Sequence, residues 1–149
     1  MITPIETVVY TGKAHTIGGR DGGSSRTSDG ILDVKLAVPG GHGTGTNPEQ
    51  LFAVGWSACY LSAVKVVAGR MRVRLPADTS VDSEVDLGTN NGAYFIRARL
   101  TVNLPGIATD IARKIAEGAH QECPYSKATR GNIDVTTTVT GALVPAGVP

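Results

Sequence analysis

The side chains best suited to chemistry in this 149-residue chain are two thiols, Cys59 and Cys123, its only cysteines. They are too few for a disulfide framework and too far apart for a metal knuckle, and His15, His42 and His120 show no ligand spacing, so no metal is indicated. Two readings of the pair stand. Buried free cysteines behave as small hydrophobes and can be inert packing, or the pair can cycle through a disulfide. In the second case the two positions differ. Cys123 falls at the predicted C-terminus of a helix, where the helix field opposes a thiolate, whereas Cys59 is mid-helix and gains nothing from either end. Cys59 would then need a cation from outside its helix. Arg20, held in the loop Gly18-Gly19-Arg20-Asp21-Gly22-Gly23, is suited to this, because a guanidinium keeps its charge in an enclosed site and accepts a bidentate carboxylate. Read from spacing alone, Arg20 is better described as a solvated turn arginine. Glu49 could supply the carboxylate.

The elements that must position these groups follow from periodicity. Residues 47–70 read as one helix: Asn47 can cap it, Pro48 suits the first helical position, and Gln50 stands where a capping-box partner would. From Leu51 to Val64 the run carries no charge, which predicts a helix buried on every side. Glu49 and Cys59 lie about 15 Å apart along it at 1.5 Å per residue, too far for direct contact. A site using both needs Arg20 to span the gap or Glu49 to come from a second subunit. A second helix carries Ile107, Ile111, Ile115 and Ala119 in an i+4 row whose next member is Cys123, so Cys123 is expected to point inward just before Pro124 ends the helix.

Strands are predicted around these helices: an opening hairpin in residues 5–18, a half-buried strand over 32–38, paired strands over 81–87 and 94–102, and a last strand over 133–139. A two-residue turn at Asn90-Asn91 would pair Glu84 with Arg97 and Asp82 with Arg99. Residues 40–46 are a glycine-rich connection without the lysine of a phosphate loop, and Tyr125 to Asn132 is a turn-rich connection. The tail beyond Thr140, with Pro145 and Pro149, offers no chemistry. This order implies one α+β domain with antiparallel sheet wrapped about a buried helix.

Composition sets outer limits. A net charge of +1 with both signs interspersed leaves no footprint for nucleic acid or a membrane surface. The charge-free run is shorter than the roughly 20 residues needed to span a bilayer, and the N-terminus lacks a basic region followed by an apolar stretch, so a soluble, cytoplasmic protein is expected.

Three segments, Asn47-Pro-Glu-Gln-Leu-Phe-Ala53 leading to Ala58-Cys59, the Gly18-Gly19-Arg20 loop, and Cys123-Pro-Tyr-Ser-Lys-Ala-Thr-Arg-Gly-Asn-Ile133, together resemble the organic hydroperoxide resistance proteins, the Ohr branch of the OsmC/Ohr family. The resemblance covers nearly the whole chain, and Tyr125 favours this branch over OsmC. It implies a single thiol peroxidase domain over residues 1–149, in an intertwined homodimer with antiparallel sheets around long central helices. Cys59 would be the peroxidatic thiolate, Cys123 the resolving thiol, and Arg20 and Glu49 the pair that activates the thiolate and positions the peroxide. The substrate implied is an organic hydroperoxide and the reductant a dithiol, with lipoyl groups on protein carriers; no cofactor is expected. Trp56 stands where a tyrosine or another aromatic is common. Leu51, Phe52 and Trp56 could favour alkyl or lipid hydroperoxides, with plain core packing an equal reading for each, and Tyr125 and Ser126 could contact substrate or serve the turn alone. The rival function is a redox sensor using the same disulfide as a switch, for which the sequence offers no recognition helix or basic patch.

Overall fold

The computed structural model describes residues 1–144; Pro145 and Pro149 lie outside the described residues. By its contacts the chain divides into two compact units, Met1–Pro48 and Glu49 onward, and each has its own sheet.

In the first unit, β1 (Ala14–Ile17), β2 (Ser24–Thr27) and β3 (Asp33–Lys35) form an antiparallel sheet in chain order. The hairpin expected within residues 5–18 does not form. Its alternating Val8 and Tyr10 find no partner strand, and all of residues 1–13 are exposed; β1 pairs with β2 across the Gly18–Gly23 loop instead. That loop needs its glycines: Gly18, Gly19 and Gly22 have positive φ, and a Cβ on Gly23 would stand 2.2 Å from the Gly19 carbonyl oxygen. The strand expected over 32–38 is shorter, reaching Lys35 and continuing only as a single bridge from Leu36 to Thr46. Leu36 is buried; Leu32 and Val38 are exposed.

The second unit opens with α1 (Pro48–Arg70), as its capping and proline signals predict. Over these 23 residues α1 has the length and apolarity of a membrane span, which the charge-free run alone did not reach, but a core helix passes the same test. Here Trp56, Tyr60, Val64 and Ala68 are fully buried against β5 and α2 residues. The opposite stripe, Val54, Ala58, Ser62 and Val66 at i+4 spacing, is exposed. The expectation of burial on every side therefore holds on one face of this chain only.

Strands β4 (Ser80–Asn90) and β5 (Ala93–Asn103) form a long antiparallel hairpin. Its turn is Asn91-Gly92, not Asn90-Asn91, and both residues have positive φ (50° and 78°). This is the geometry a type I′ turn demands, and glycine adopts it at less cost than a second asparagine. The register moves by two, so Glu84 faces Arg99 and Asp86 faces Arg97. The side chains stay on their expected faces, and Arg99 bridges both acids, at 3.0 Å to Glu84 and 2.8 Å to Asp86.

Helix α2 (Thr109–Glu122) crosses back over the sheet and β6 (Val135–Thr140) adds beside β5. That pairing is parallel, so this sheet is mixed instead of antiparallel throughout: a strand that returns through a helix re-enters in the same direction as the one before. The core lies between the sheet and the helices, with Leu100, Val102 and Leu104 of the β5 segment meeting Ile115 and Ala119 of α2 and the buried face of α1. Two polar tethers reinforce it. The Tyr60 hydroxyl donates to the Ala116 carbonyl at 2.7 Å, and Ser83 of β4 donates to the Ala53 carbonyl of α1 at 2.8 Å.

Candidate active site

Cys59 sits midway along α1, half-buried, and Cys123 is fully buried where α2 ends. The i+4 row through Ile115 and Ala119 places Cys123 inward as expected. The segment beyond it is not a turn-rich connection. It is a short helix, α3 (Pro124–Thr129), for which Cys123 is the N-cap while also capping α2. Proline at 124 disfavours helical backbone at the residue before it, and Cys123 is accordingly extended, at φ −66° and ψ 120°. Two helices thus meet without a loop, and the thiol stands in the crease. An account of Cys123 from the C-terminal helix field alone is incomplete, because α3 begins at the same residue.

The two sulfurs lie 3.2 Å apart, with the Cys123 thiol donating to Cys59. Both are free cysteines. A disulfide places sulfurs at about 2.05 Å, so closure needs a movement of only about 1.2 Å. Burial raises the Cys59 thiol above its ordinary value and Cys123 adds to this; the main-chain N–H of Tyr125, donated to the Cys59 sulfur, works in the opposite direction. Within its own unit, then, Cys59 is a thiol with one main-chain N–H that favours the thiolate and a net bias against ionising.

The other predicted site residues are placed as follows. Glu49 is half-buried in the first turn of α1, and Arg20 is half-buried in the turn between β1 and β2, in the first unit. Leu51 and Phe52 are half-buried on α1. Phe52 meets Trp56 edge-on with ring centres 5.6 Å apart and Tyr125 at 6.0 Å. Tyr125 is 40% exposed. Gly55 makes room for it, since a Cβ there would stand 2.9 Å from the Tyr125 hydroxyl. Trp56 has no exposed surface and belongs to the core, its indole N–H donating to the Ser126 hydroxyl at 3.1 Å. Among the described residues no three His, Cys, Asp or Glu gather as a metal site.

Sequence reasoning passed over His120. Its Nδ1 lies 2.8 Å from Ser126 Oγ and its Nε2 2.7 Å from Thr137 Oγ1. Burial, and secondarily Arg130, lower its pKa and favour the neutral ring. Arg130 donates to the His120 carbonyl at 2.5 Å. These groups line a cavity of 280 Å³ with Trp56, Thr129 and Ile133. The available signal was position: His120 and Ser126 stand three residues either side of Cys123.

Comparison with known proteins agrees with the fold and shows the family. The OsmC-like protein family model matches residues 41–138. The organic hydroperoxide resistance protein of Xanthomonas axonopodis pv. citri is 46% identical over 138 residues, covering 90% of this chain and 96% of that one. The crystal structure of OhrB from Bacillus subtilis superposes with a TM-score of 0.83 at 36% identity, covering 89% of this chain and 99% of that one. An organic hydroperoxide resistance protein from Legionella pneumophila gives a TM-score of 0.83 at 40% identity, with 92% and 100% coverage.

Proposed function

We propose that this chain, which belongs to the OsmC/Ohr family, is a cysteine-based peroxidase that reduces organic hydroperoxides to alcohols. The observation that carries the reading is the 3.2 Å approach of Cys123 to Cys59, inside a fold shared with proteins named for organic hydroperoxide resistance. The Cys59 thiolate attacks the terminal peroxide oxygen; an S–O bond forms, the O–O bond breaks, and the alkoxide leaves with a proton as alcohol. Cys123 then attacks the Cys59 sulfenic acid, forming the S–S bond while the hydroxyl departs with the Cys123 proton as water. A dithiol, which we take to be a lipoyl group on a protein carrier, returns both thiols.

Because burial biases Cys59 against ionising, the scheme requires a cation. Arg20 fills that role, stabilising the thiolate and the charge developing on the leaving oxygen, while Glu49 orients Arg20. Leu51, Phe52 and Tyr125, backed by Trp56, form the apolar wall that favours an alkyl or lipid hydroperoxide over hydrogen peroxide. Residues 1–149 act as one OsmC/Ohr-like domain in a cytoplasmic homodimer. The exposed α1 stripe of Val54, Ala58, Ser62 and Val66 supplies an apolar face for pairing.

Turnover of cumene hydroperoxide with dihydrolipoamide tests the reading. Cys59→Ser is expected to lose about 10³-fold or more in rate, since the nucleophile itself is gone, and Cys123→Ser to stop after one equivalent of peroxide. Peroxide consumption that survives Cys59→Ser would overturn the assignment. Equal rates of Cys59 oxidation by hydrogen peroxide and by a long-chain hydroperoxide would remove the apolar wall.

A further inference from the structure

His120 sits in a hydrogen-bonded chain that the reaction scheme leaves unused. Trp56 precedes Cys59 by one turn of α1, and Ser126 follows Cys123 by one turn of α3. The Trp56 N–H to Ser126 Oγ bond, at 3.1 Å, therefore ties the two cysteine-bearing helices together beside the point where their sulfurs meet. An indole N–H can only donate, so Ser126 Oγ is its acceptor, and the serine's own proton can be given to His120 Nδ1. The ring then carries its proton on Nε2 and donates it to Thr137 Oγ1 of β6. Every polar atom of the chain has a partner in this arrangement, and α1, α2, α3 and β6 are joined through one buried serine hydroxyl.

The device has a purpose because α3 cannot orient itself. It is six residues long, too short to be stable alone, and it is hinged on the extended Cys123 with no loop between it and α2. The rotation of α3 about that hinge decides where Ser126 stands and how the Cys123 sulfur faces Cys59. We propose that His120 is a positioning residue for disulfide closure: by holding Ser126 against Trp56 it keeps Cys123 aligned on Cys59, so that closure outruns further oxidation of the Cys59 sulfenic acid. The inference rests on the peroxidase reading and adds a residue to its second step only. Cys59 attacks peroxide before Cys123 reacts, so loosening α3 slows closure far more than the first oxidation.

The test uses the full-length reduced protein, one equivalent of cumene hydroperoxide, timed quenching by alkylation, and mass spectrometry of the disulfide, sulfenic and sulfinic forms. In His120→Gln, whose amide reaches toward Thr137 but not Ser126, and in Ser126→Ala, closure is expected to slow about tenfold, in line with loss of one buried hydrogen bond from an aligned geometry. The first oxidation of Cys59 is expected to stay within about twofold of wild type, and sulfinic acid to accumulate at correspondingly lower peroxide excess. His120→Asn, whose amide occupies the place of Nδ1, is expected to restore closure. Wild-type closure rates in both His120→Gln and Ser126→Ala would overturn the inference, as would equal slowing in His120→Asn and His120→Gln. Should the His120 variants fail to fold, Ser126→Ala, which removes one oxygen, decides alone. Wild-type protein that forms no Cys59–Cys123 disulfide would instead overturn the peroxidase reading itself.

Discussion

At the scale of single residues the central tension is at Cys59. A peroxidatic thiol must ionise near neutral pH, yet burial and Cys123 push this one upward, with only the Tyr125 N–H in opposition. If Arg20 supplies the missing charge, its removal has a definite sign. A nearby cation lowers a thiol pKa by about 1–3 units, so Arg20→Met is expected to move the pH midpoint of Cys59 alkylation by iodoacetamide upward by that amount, measured in a Cys123→Ser background. An unmoved midpoint would remove Arg20 from the site. Cys59 and Cys123 were legible because a thiol on a helical row needs only the helix to be placed. His120 was not, because its role depends on Ser126, and Ser126 depends on α3 being a helix and not a turn. Once Pro124 is read as the first residue of a new helix instead of the end of the old one, the i−3 and i+3 flanking of Cys123 becomes visible.

At the scale of elements, two glycines mark where helices approach other groups closely, and they predict opposite outcomes. At Gly118 of α2 a Cβ would stand 2.9 Å from Val67 Cγ1 on α1, and Val67 is a buried, β-branched side chain with one favoured rotamer in a helix. Overpacking of about 1–3 kcal/mol exceeds the roughly 1 kcal/mol of helix propensity gained, so Gly118→Ala is expected to destabilise by about 1 kcal/mol, read as a lower urea midpoint. At Gly55 the obstacle is the tip of the exposed Tyr125, which can move aside. Gly55→Ala is expected to hold or raise the midpoint while displacing Tyr125 and weakening discrimination for long-chain hydroperoxides. The polar junction at His120 has a pH signature. Burial lowers its pKa from 6.5, so the unfolded chain binds this proton more readily than the folded one. The stability due to neutral His120 is fully present above pH 6.5 and is lost as pH falls through the lower, folded value. The reduced protein is expected to lose more thermal stability between pH 7.5 and 5 than His120→Asn does. The long elements were legible from sequence, because α2 and the β4–β5 hairpin carry their periodicity over many residues and α1 carries start signals at Asn47 and Pro48 followed by a long uncharged run. What failed was local or partner-dependent: the hairpin register, fixed by positive φ at Asn91 and Gly92; the direction of β6, fixed by the crossover; and the first predicted hairpin, of which only Ala14–Ile17 forms a strand and pairs onward with β2.

At the scale of the whole molecule, the exposed face of α1 bears on the proposed homodimer. On α1, Val54 is 67% and Val66 47% exposed, and apolar residues that share one exposed helix face mark an interaction surface. The proposed homodimer gives the α1 stripe a partner, and Ala58→Glu in its centre is expected to convert the dimer to monomer in sedimentation velocity. A sharper consequence comes from the length of α1. It is a continuous helix, so Glu49 and Cys59 remain about 15 Å apart along it, and a site that needs both is most simply completed across a two-fold axis. Mixing inactive Glu49→Ala and Cys59→Ser proteins under conditions of subunit exchange separates the alternatives. If Glu49 serves the partner's thiol, each heterodimer holds one intact pair, the Cys59 of the first protein with the Glu49 of the second, and about a quarter of wild-type activity is expected from a random mixture. If Glu49 serves its own chain, every site in the mixture lacks one residue or the other, and no activity returns.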